Sequence, residues 1–308
     1  MIKNITFVKY FEDEYQSYID KFKNIDTILL FDLEDSIQDI FDNSKTYKLK
    51  QYYRTVLINI IKHNKITFPH KVGIRINSPS TDHFDNDISL LKELYHFHFD
   101  IIVLPKVNHS SDIRKFLEFT EKRGIEYKEL GIVVETITGM NNLEDILEYR
   151  HSKYKYVFFG FIDLNYDYEN IPFVHQNNHE FWNWIEYVAG KMKNSDKIYV
   201  NPPAFNILSP EYFSWIIEKT YEIFQKDFYQ LCVMYYQVVT CNQFQRNIHY
   251  NSELYLDHFN PDKIKYAAEL IHCVNETNKN KGFSITQKSF ITPHEYYTAQ
   301  KYLRRTYE

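Results

Sequence analysis

Residues 101–106 read Ile-Ile-Val-Leu-Pro-Lys, residues 131–136 Gly-Ile-Val-Val-Glu-Thr, and residues 156–163 Tyr-Val-Phe-Phe-Gly-Phe-Ile-Asp. Each is a short apolar run that ends at a charged side chain, directly at Glu135 or after a proline or glycine at Lys106 and Asp163. A strand with one wet face alternates polar and apolar residues, whereas one covered on both faces does not, so these runs predict strands of a buried parallel sheet. Working outward, the same kind of run recurs at Ile5 to Val8, Thr27 to Phe31, Val72 to Ile76, Ile198 to Asn201 and Leu231 to Tyr235. Together with Ile101 to Pro105, Gly131 to Glu135 and Tyr156 to Gly160, that makes eight predicted strands.

Between them lie amphipathic stretches with helical spacing: Glu14 to Phe22, Lys45 to Lys62, Asp85 to Tyr95, Ser111 to Lys122, Asn142 to Tyr149, Glu180 to Lys191 and Pro210 to Phe224. Eight strands with intervening helices predict the α/β class and, within it, a TIM (β/α)8 barrel. Residues 1–240 are read as the barrel. Residues 241–308 are read as a C-terminal helical extension, or lid, packing on the barrel or on a neighbouring subunit. Its first helix is expected from Pro261, after Asn260 as cap, to Asn278, with Ile264, Ala267, Ala268, Ile271 and Val274 as its stripe.

The chain has 308 residues, 44% hydrophobic and 18% aromatic, enough apolar surface to form a large core and to exclude intrinsic disorder. Lys and Arg number 36 against 41 Asp and Glu, a net charge of -5, so nucleic acid is not an expected partner. The cysteines, Cys232, Cys241 and Cys273, have neither disulfide-framework nor zinc-ligand spacing and read as free thiols in a cytoplasmic protein. No signal peptide or membrane span is expected; the longest uncharged apolar stretch, Val157 to Ile162, is far too short.

In a barrel, chemistry collects where the strands end. The predicted strand ends run into Asp32, Glu34 and Asp35, then Arg75 and Asn77, then Lys106, Glu135 and Asp163. Glu135 and Asp163 on neighbouring strand ends repel unless a cation lies between them, and an oxygen site with open positions suits Mg2+. The competing explanation for each acid taken singly is helix capping. Arg75 at an apolar strand end requires a carboxylate partner or a substrate anion, and Asp32 or Asp35 is as good a candidate as a ligand. His175 and His179 have a metal-pair spacing but no third ligand and read as loop histidines. Phe181, Trp182, Trp184, Ile185 and Val188 read as core or interface.

These strand ends resemble one family in order. Phe31-Asp-Leu-Glu-Asp-Ser36, Gly73-Ile-Arg-Ile-Asn77, Val103-Leu-Pro-Lys-Val107, Val134-Glu-Thr-Ile-Thr-Gly139 and Phe159-Gly-Phe-Ile-Asp-Leu164 are similar to motifs of the citrate lyase beta subunit and malyl-CoA lyase group of the HpcH/HpaI aldolase superfamily. The resemblance implies a Mg2+-dependent carbon–carbon lyase, or the reverse condensation, working through an enolate. It implies Glu135 and Asp163 as metal ligands, Arg75 on the reacting oxygen, and Glu34 and Asp35 as catalytic supports that orient Arg75 and metal-bound water. Lys106 is read as structural rather than as a Schiff-base lysine. The implied partners are a small oxo or hydroxy acid, or an acyl-CoA, and further copies of the chain as a homo-oligomer, trimer or hexamer; no membrane is implied.

The resemblance fails in two places. Thr292 stands where acyl-CoA lyases of the group carry a lid aspartate, with His294 and Glu295 as substitutes nearby, and the family's Ile-His-Pro after the last strand is missing. These departures favour enolate chemistry on a non-CoA substrate. Acyl-CoA lyase activity and a non-catalytic scaffold barrel are the alternatives. The sequence is also similar to divergent barrels found beside bacterial stress-response and tellurite-resistance genes.

Overall fold

The structure of the chain, a computed structural model, describes residues 2–8, 15–39, 42–62, 68, 70–204, 209–244, 255–256, 261–277, 284–286 and 289–307. The first eight strands are β1 (Lys3–Phe7), β2 (Ile28–Asp32), β3 (Val72–Arg75), β4 (Phe99–Leu104), β5 (Tyr127–Val134), β6 (Tyr154–Phe159), β7 (Ile198–Asn201) and β8 (Tyr229–Cys232). Each pairs in parallel with the next, and β8 pairs with β1 to close the barrel. The predicted (β/α)8 barrel is therefore the observed fold.

The two-sided burial expected of the apolar runs is visible along β6. Tyr156 and Phe158 point into the barrel with Ile5, Leu30, Val103, Val133 and Leu231, while Val157 and Phe159 point outward into the layer under the helices. Burying one such side chain contributes about 1.5–3 kcal/mol, so both sets of alternating residues hold the wall in place. Gly131 on β5 has a definite role here. A Cβ at this position would lie 2.7 Å from the Phe158 ring, so glycine is what lets the large aromatic residues fill the interior.

The helices around the wall are α1 (Tyr15–Asp20), α2 (Asn43–Lys62), α3 (Phe84–Glu93), α4 (Ser110–Lys122), α5 (Ile137–Asn141), α6 (Leu143–Glu148), α7 (Phe161–Tyr168), α8 (His179–Met192), α9 (Pro210–Phe224) and α10 (Tyr235–Gln243). Three of them differ from the expected pattern. Short helices α5 and α7 begin directly at the ends of β5 and β6, so Asp163 lies in the first turn of α7 and not on a strand end. The eighth strand stops at Cys232, and Tyr235 opens α10 instead of extending the strand.

After the barrel come α11 (Lys263–Thr277), the antiparallel pair β9 (Ser284–Thr286) and β10 (Ser289–Ile291), and α12 (Pro293–Tyr307). The expected stripe of α11 is corrected. Ala267, Leu270 and Val274 are buried against Tyr296, Ala299 and Ile171, but Ile264 and Ala268 are exposed, because α12 covers a narrower face than five residues would fill. Asn260, Gly282, Phe205 and most of the polar connection from Asn242 to Asp257 lie outside the described residues. The aromatic stripe of α8 is core: Phe181, Trp182, Ile185 and Val188 are buried, with Trp184 packed at its edge.

The C-terminal helix is tied to α7. Glu169, the left-handed residue ending α7, forms ion pairs with Lys301 and Arg305 of α12. Thr292 starts α12 by accepting the Glu295 backbone N–H at 3.2 Å, with Pro293 in the first turn, a favourable pairing of cap and proline. Among the described residues, no helix is long and apolar enough to cross a membrane. None of the three cysteines is in a disulfide, and the buried Sγ atoms of Cys232 and Cys241 lie 3.9 Å apart.

Candidate active site

The strand ends converge on a cavity of about 450 Å³ whose walls are mostly apolar, including Phe7, Leu30, Val103, Phe158, Leu231 and Met234. Its lining also carries Asp35, Tyr53, Arg75, Glu135, Asp163 and His294. Glu34 lies just behind, 5% exposed, and reaches the same group through Arg75 and Lys106.

Arg75 is held by three acids. Its Nε and Nη2 donate to the two oxygens of Asp32, each at 2.7 Å, while Nη1 lies 3.2 Å from both Glu34 Oε2 and Asp35 Oδ2. The fork geometry is that of a bidentate guanidinium–carboxylate pair. Burial works against the guanidinium's charge, but Asp32, Asp35 and Glu34 outweigh it and drive the Arg75 pKa well upward. Asp32 is itself fully used, accepting the backbone N–H groups of Glu34 and Ser36 and the Ser36 hydroxyl. The partner of Arg75 that the sequence left open between Asp32, Asp35 and a ligand is thus chiefly Asp32.

The loop carrying Glu34 and Asp35 is fixed from beneath by Lys50 of α2. This buried ammonium donates to the carbonyls of Leu33 (3.2 Å) and Glu34 (2.8 Å) and to Asn77 Oδ1. Burial lowers the Lys50 pKa, opposed by Asp35, Glu34 and Asp32. Asn77 in turn donates to the Leu33 carbonyl and to Asp87, which also pairs with Arg54. Sequence reading did not single out Lys50, because its role depends on contacts between separate elements; Asp32 it offered only as one of the alternatives for Arg75.

Glu135, 2% exposed, leaves β5 and turns one oxygen to the Lys106 backbone N–H at 2.8 Å. It does not cap the following helix; Thr136 does, accepting from Gly139 N–H. The other oxygen lies against Gly160, where a Cβ would approach within 2.5 Å. Asp163, 7% exposed, faces Lys106 Nζ at 3.1 Å and His294 Nε2 at 3.6 Å. The two carboxyls are pushed in opposite directions. Burial, reinforced by Asp163, raises Glu135 to about 8; for Asp163 burial is outweighed by His294 and Lys106, which hold it below the usual carboxylate value. Glu34 is also driven well up, by burial and then by Asp35. Neighbouring carboxyls in a closed space share protons unless a cation is present.

Lys106 has φ of 55°, an uncommon conformation for a side-chain-bearing residue and one that concentrates at sites. Its Nζ lies between Asp163 and Glu34, 3.8 Å from the latter, and these charges overcome burial to raise its pKa. Raised affinity for a proton is the opposite of what an amine nucleophile needs. A further residue, His294, enters the cavity from the chain's own α12, far along the sequence from Asp163. Donor atoms of Asp35, Asp163 and His294 lie within 4.8 Å of one another, while Glu135 stands outside that trio. His175 instead approaches Glu295 at 3.5 Å, and the metal-type cluster among the described residues includes neither His175 nor His179.

Comparisons with known proteins give the family and the fold. Residues 16–173, just over half of the chain, match HpcH/HpaI aldolase/citrate lyase. The chain belongs to the HpcH/HpaI aldolase/citrate lyase family. The matched segment carries Asp32, Glu34, Asp35, Arg75, Lys106, Glu135 and Asp163, and leaves out His294. By sequence, no curated protein matches the chain.

Similar solved structures include a malate synthase of Haloferax volcanii in a pyruvate/acetyl-CoA ternary complex, with 12% identity and a TM-score of 0.67 over 99% of this chain and 90% of that one. A citrate lyase of Burkholderia xenovorans LB400 superposes with a TM-score of 0.62 at 13% identity, over 100% of this chain and 92% of that one. The CitE protein of Mycobacterium tuberculosis, complexed with magnesium, acetoacetate and coenzyme A, gives 0.59 at 13% identity over 100% and 98%. At such identities the likeness is one of fold.

Proposed function

We propose that this family member is a divalent-cation-dependent carbon–carbon lyase that acts through an enolate on a small oxo or hydroxy acid. The observation that carries this reading is the buried pair Glu135 and Asp163 opening onto the same cavity as Arg75. The side chains fit a hard cation such as Mg2+. They offer carboxylate oxygens, Gly160 leaves the space Glu135 needs, and the burial and Asp163 charge that together lift Glu135 to about 8 are what a cation would offset. When bound, the ion supplies positive charge to the oxygen on which the enolate's charge develops.

The chain's own groups do the rest. Glu135 and Asp163 would hold the cation. Arg75, clamped by Asp32, presents its Nη1 side to the reacting oxygen, and Glu34 and Asp35 keep that nitrogen aimed. A donor fixed before the reaction loses nothing to reorganisation as charge appears. The largely apolar walls lower the local dielectric, which strengthens each of these interactions. Lys106 balances the excess of acids without competing as a nucleophile.

Calorimetric titration tests this reading. Mg2+ or Mn2+ should bind once per chain, and Glu135→Gln or Asp163→Asn should each weaken binding at least about tenfold, the loss that even a hydrogen-bond partner of a metal ligand causes when removed. Unchanged affinity in both variants would place the cation elsewhere.

A further inference from the structure

His294 occupies an unusual position for a residue of the C-terminal helix. It is the second residue of α12, yet its Nε2 lies 3.6 Å from Asp163 Oδ1, inside the cavity formed by the barrel. That separation is too long for a hydrogen bond. It approaches the spacing of two neighbouring donors on one ion with bonds of about 2.0–2.2 Å. Asp35 completes a set whose three donor atoms lie within 4.8 Å of one another, so side-chain movements of under about 1 Å bring all three onto one ion.

The imidazole is also held where it is. Thr292 caps the helix two residues before it, the Tyr166 ring of α7 packs edge-on at 5.1 Å, and Glu169 pairs with Lys301 and Arg305 further along α12. The side chain of His294 is 16% exposed, and the free side of the ring faces the carboxylates. Lys106 shares the Asp163 oxygen at 3.1 Å, but has Glu34 as a second partner, so a cation at Asp163 does not leave that ammonium unpaired.

From these observations we infer that His294 is a nitrogen ligand to the active-site cation, donated by the same chain, joining Glu135 and Asp163 there, with Asp35 as a further oxygen donor beside Asp163. This rests on the cation-dependent reading above and refines it. An all-oxygen set suits Mg2+, whereas adding an imidazole favours the transition-metal side of the divalent series, where affinity rises from Mn2+ through Fe2+ to Co2+. The cation class expected at this site is therefore a borderline divalent ion, and its retention depends on α12 remaining docked on α7.

Pulsed electron paramagnetic resonance on the full chain loaded with Mn2+ decides the point. Echo modulation from a directly bonded 14N should be present in the wild type and absent in His294→Ala. The variant should still bind Mn2+ through its carboxylates, about tenfold or more weaker, with preference for Mn2+ over Mg2+ reduced by a similar factor. His294→Gln, with a matching melting temperature, guards against a folding defect. Mn2+ bound without nitrogen modulation, or modulation that survives in His294→Ala, would overturn the inference and leave the enolate reading standing. Failure of the wild type to bind any divalent cation would overturn both.

Discussion

Single residues account for much of the site's electrostatics. Gly160 matters for its missing side chain, since a Cβ there would meet Glu135 Oε2 at 2.5 Å and the Glu135 Cβ at 2.6 Å. Gly160→Ala should therefore displace Glu135 and weaken Mn2+ binding about tenfold or more, read by calorimetry, while far-ultraviolet circular dichroism stays that of a folded barrel. Glu135 also leaves a mark on stability. Burial and Asp163 raise its pKa from an ordinary 4.5 to about 8, so between these values the folded chain holds a proton that the unfolded chain has released. This contribution is complete below the lower value and lost as pH rises through the upper one. Urea midpoints of the cation-free protein should fall from pH of about 5 to about 8, and less steeply in Glu135→Gln, which leaves only the share of the similarly raised Glu34.

At this scale the acids and Arg75 are legible in the sequence because polar residues directly after apolar runs are conspicuous. The aim of each side chain is not. That Arg75 spends two nitrogens on Asp32, or that Lys50 holds the Leu33 and Glu34 carbonyls, follows from contacts between strands and helices that no local pattern encodes.

Among the elements, strands and long helices follow from their patterns, since eight apolar runs and seven amphipathic stretches correspond to elements within a few residues. Short helices do not. Residues 161–168, Phe-Ile-Asp-Leu-Asn-Tyr-Asp-Tyr, have two helical turns, too few for a 3.6-residue period to emerge, and alternate apolar and polar residues as a strand would. The helix arises because Gly160 ends β6 and the turn packs Phe161 and Leu164 inward. Likewise the start of α12 is visible as Thr292-Pro293 with Glu295 following, but nothing in that signal says the helix delivers His294 to Asp163. Because Thr292 caps this helix, Thr292→Val should cost about 1 kcal/mol and lower the melting temperature by about 2 °C, whereas Thr292→Ser should retain most of the cap. Differential scanning calorimetry on the two variants separates these outcomes.

For the molecule as a whole, barrel closure brings residues from all eight strands or the loops that follow them to one cavity, and the start of α12 adds to it. The order of motifs along residues 28–165 makes the barrel and its family readable, because each motif sits at a strand end and the fold places strand ends together. The part contributed by α12 lies beyond the matched family segment. What the fold then holds is an apolar-walled mouth with an acidic cluster and one clamped guanidinium.

The most direct test is exchange of substrate carbon-bound hydrogen for deuterium, followed by proton NMR in heavy water with Mg2+ or Mn2+. A panel of 2-oxo acids led by pyruvate, together with acetyl-CoA, is incubated with the wild type and with Glu135→Gln. Loss of the methyl signal of an oxo acid, dependent on both the cation and Glu135, is the predicted result. Exchange no faster than the Glu135→Gln control for every compound, in protein that demonstrably binds the cation, would contradict enolate chemistry at this site.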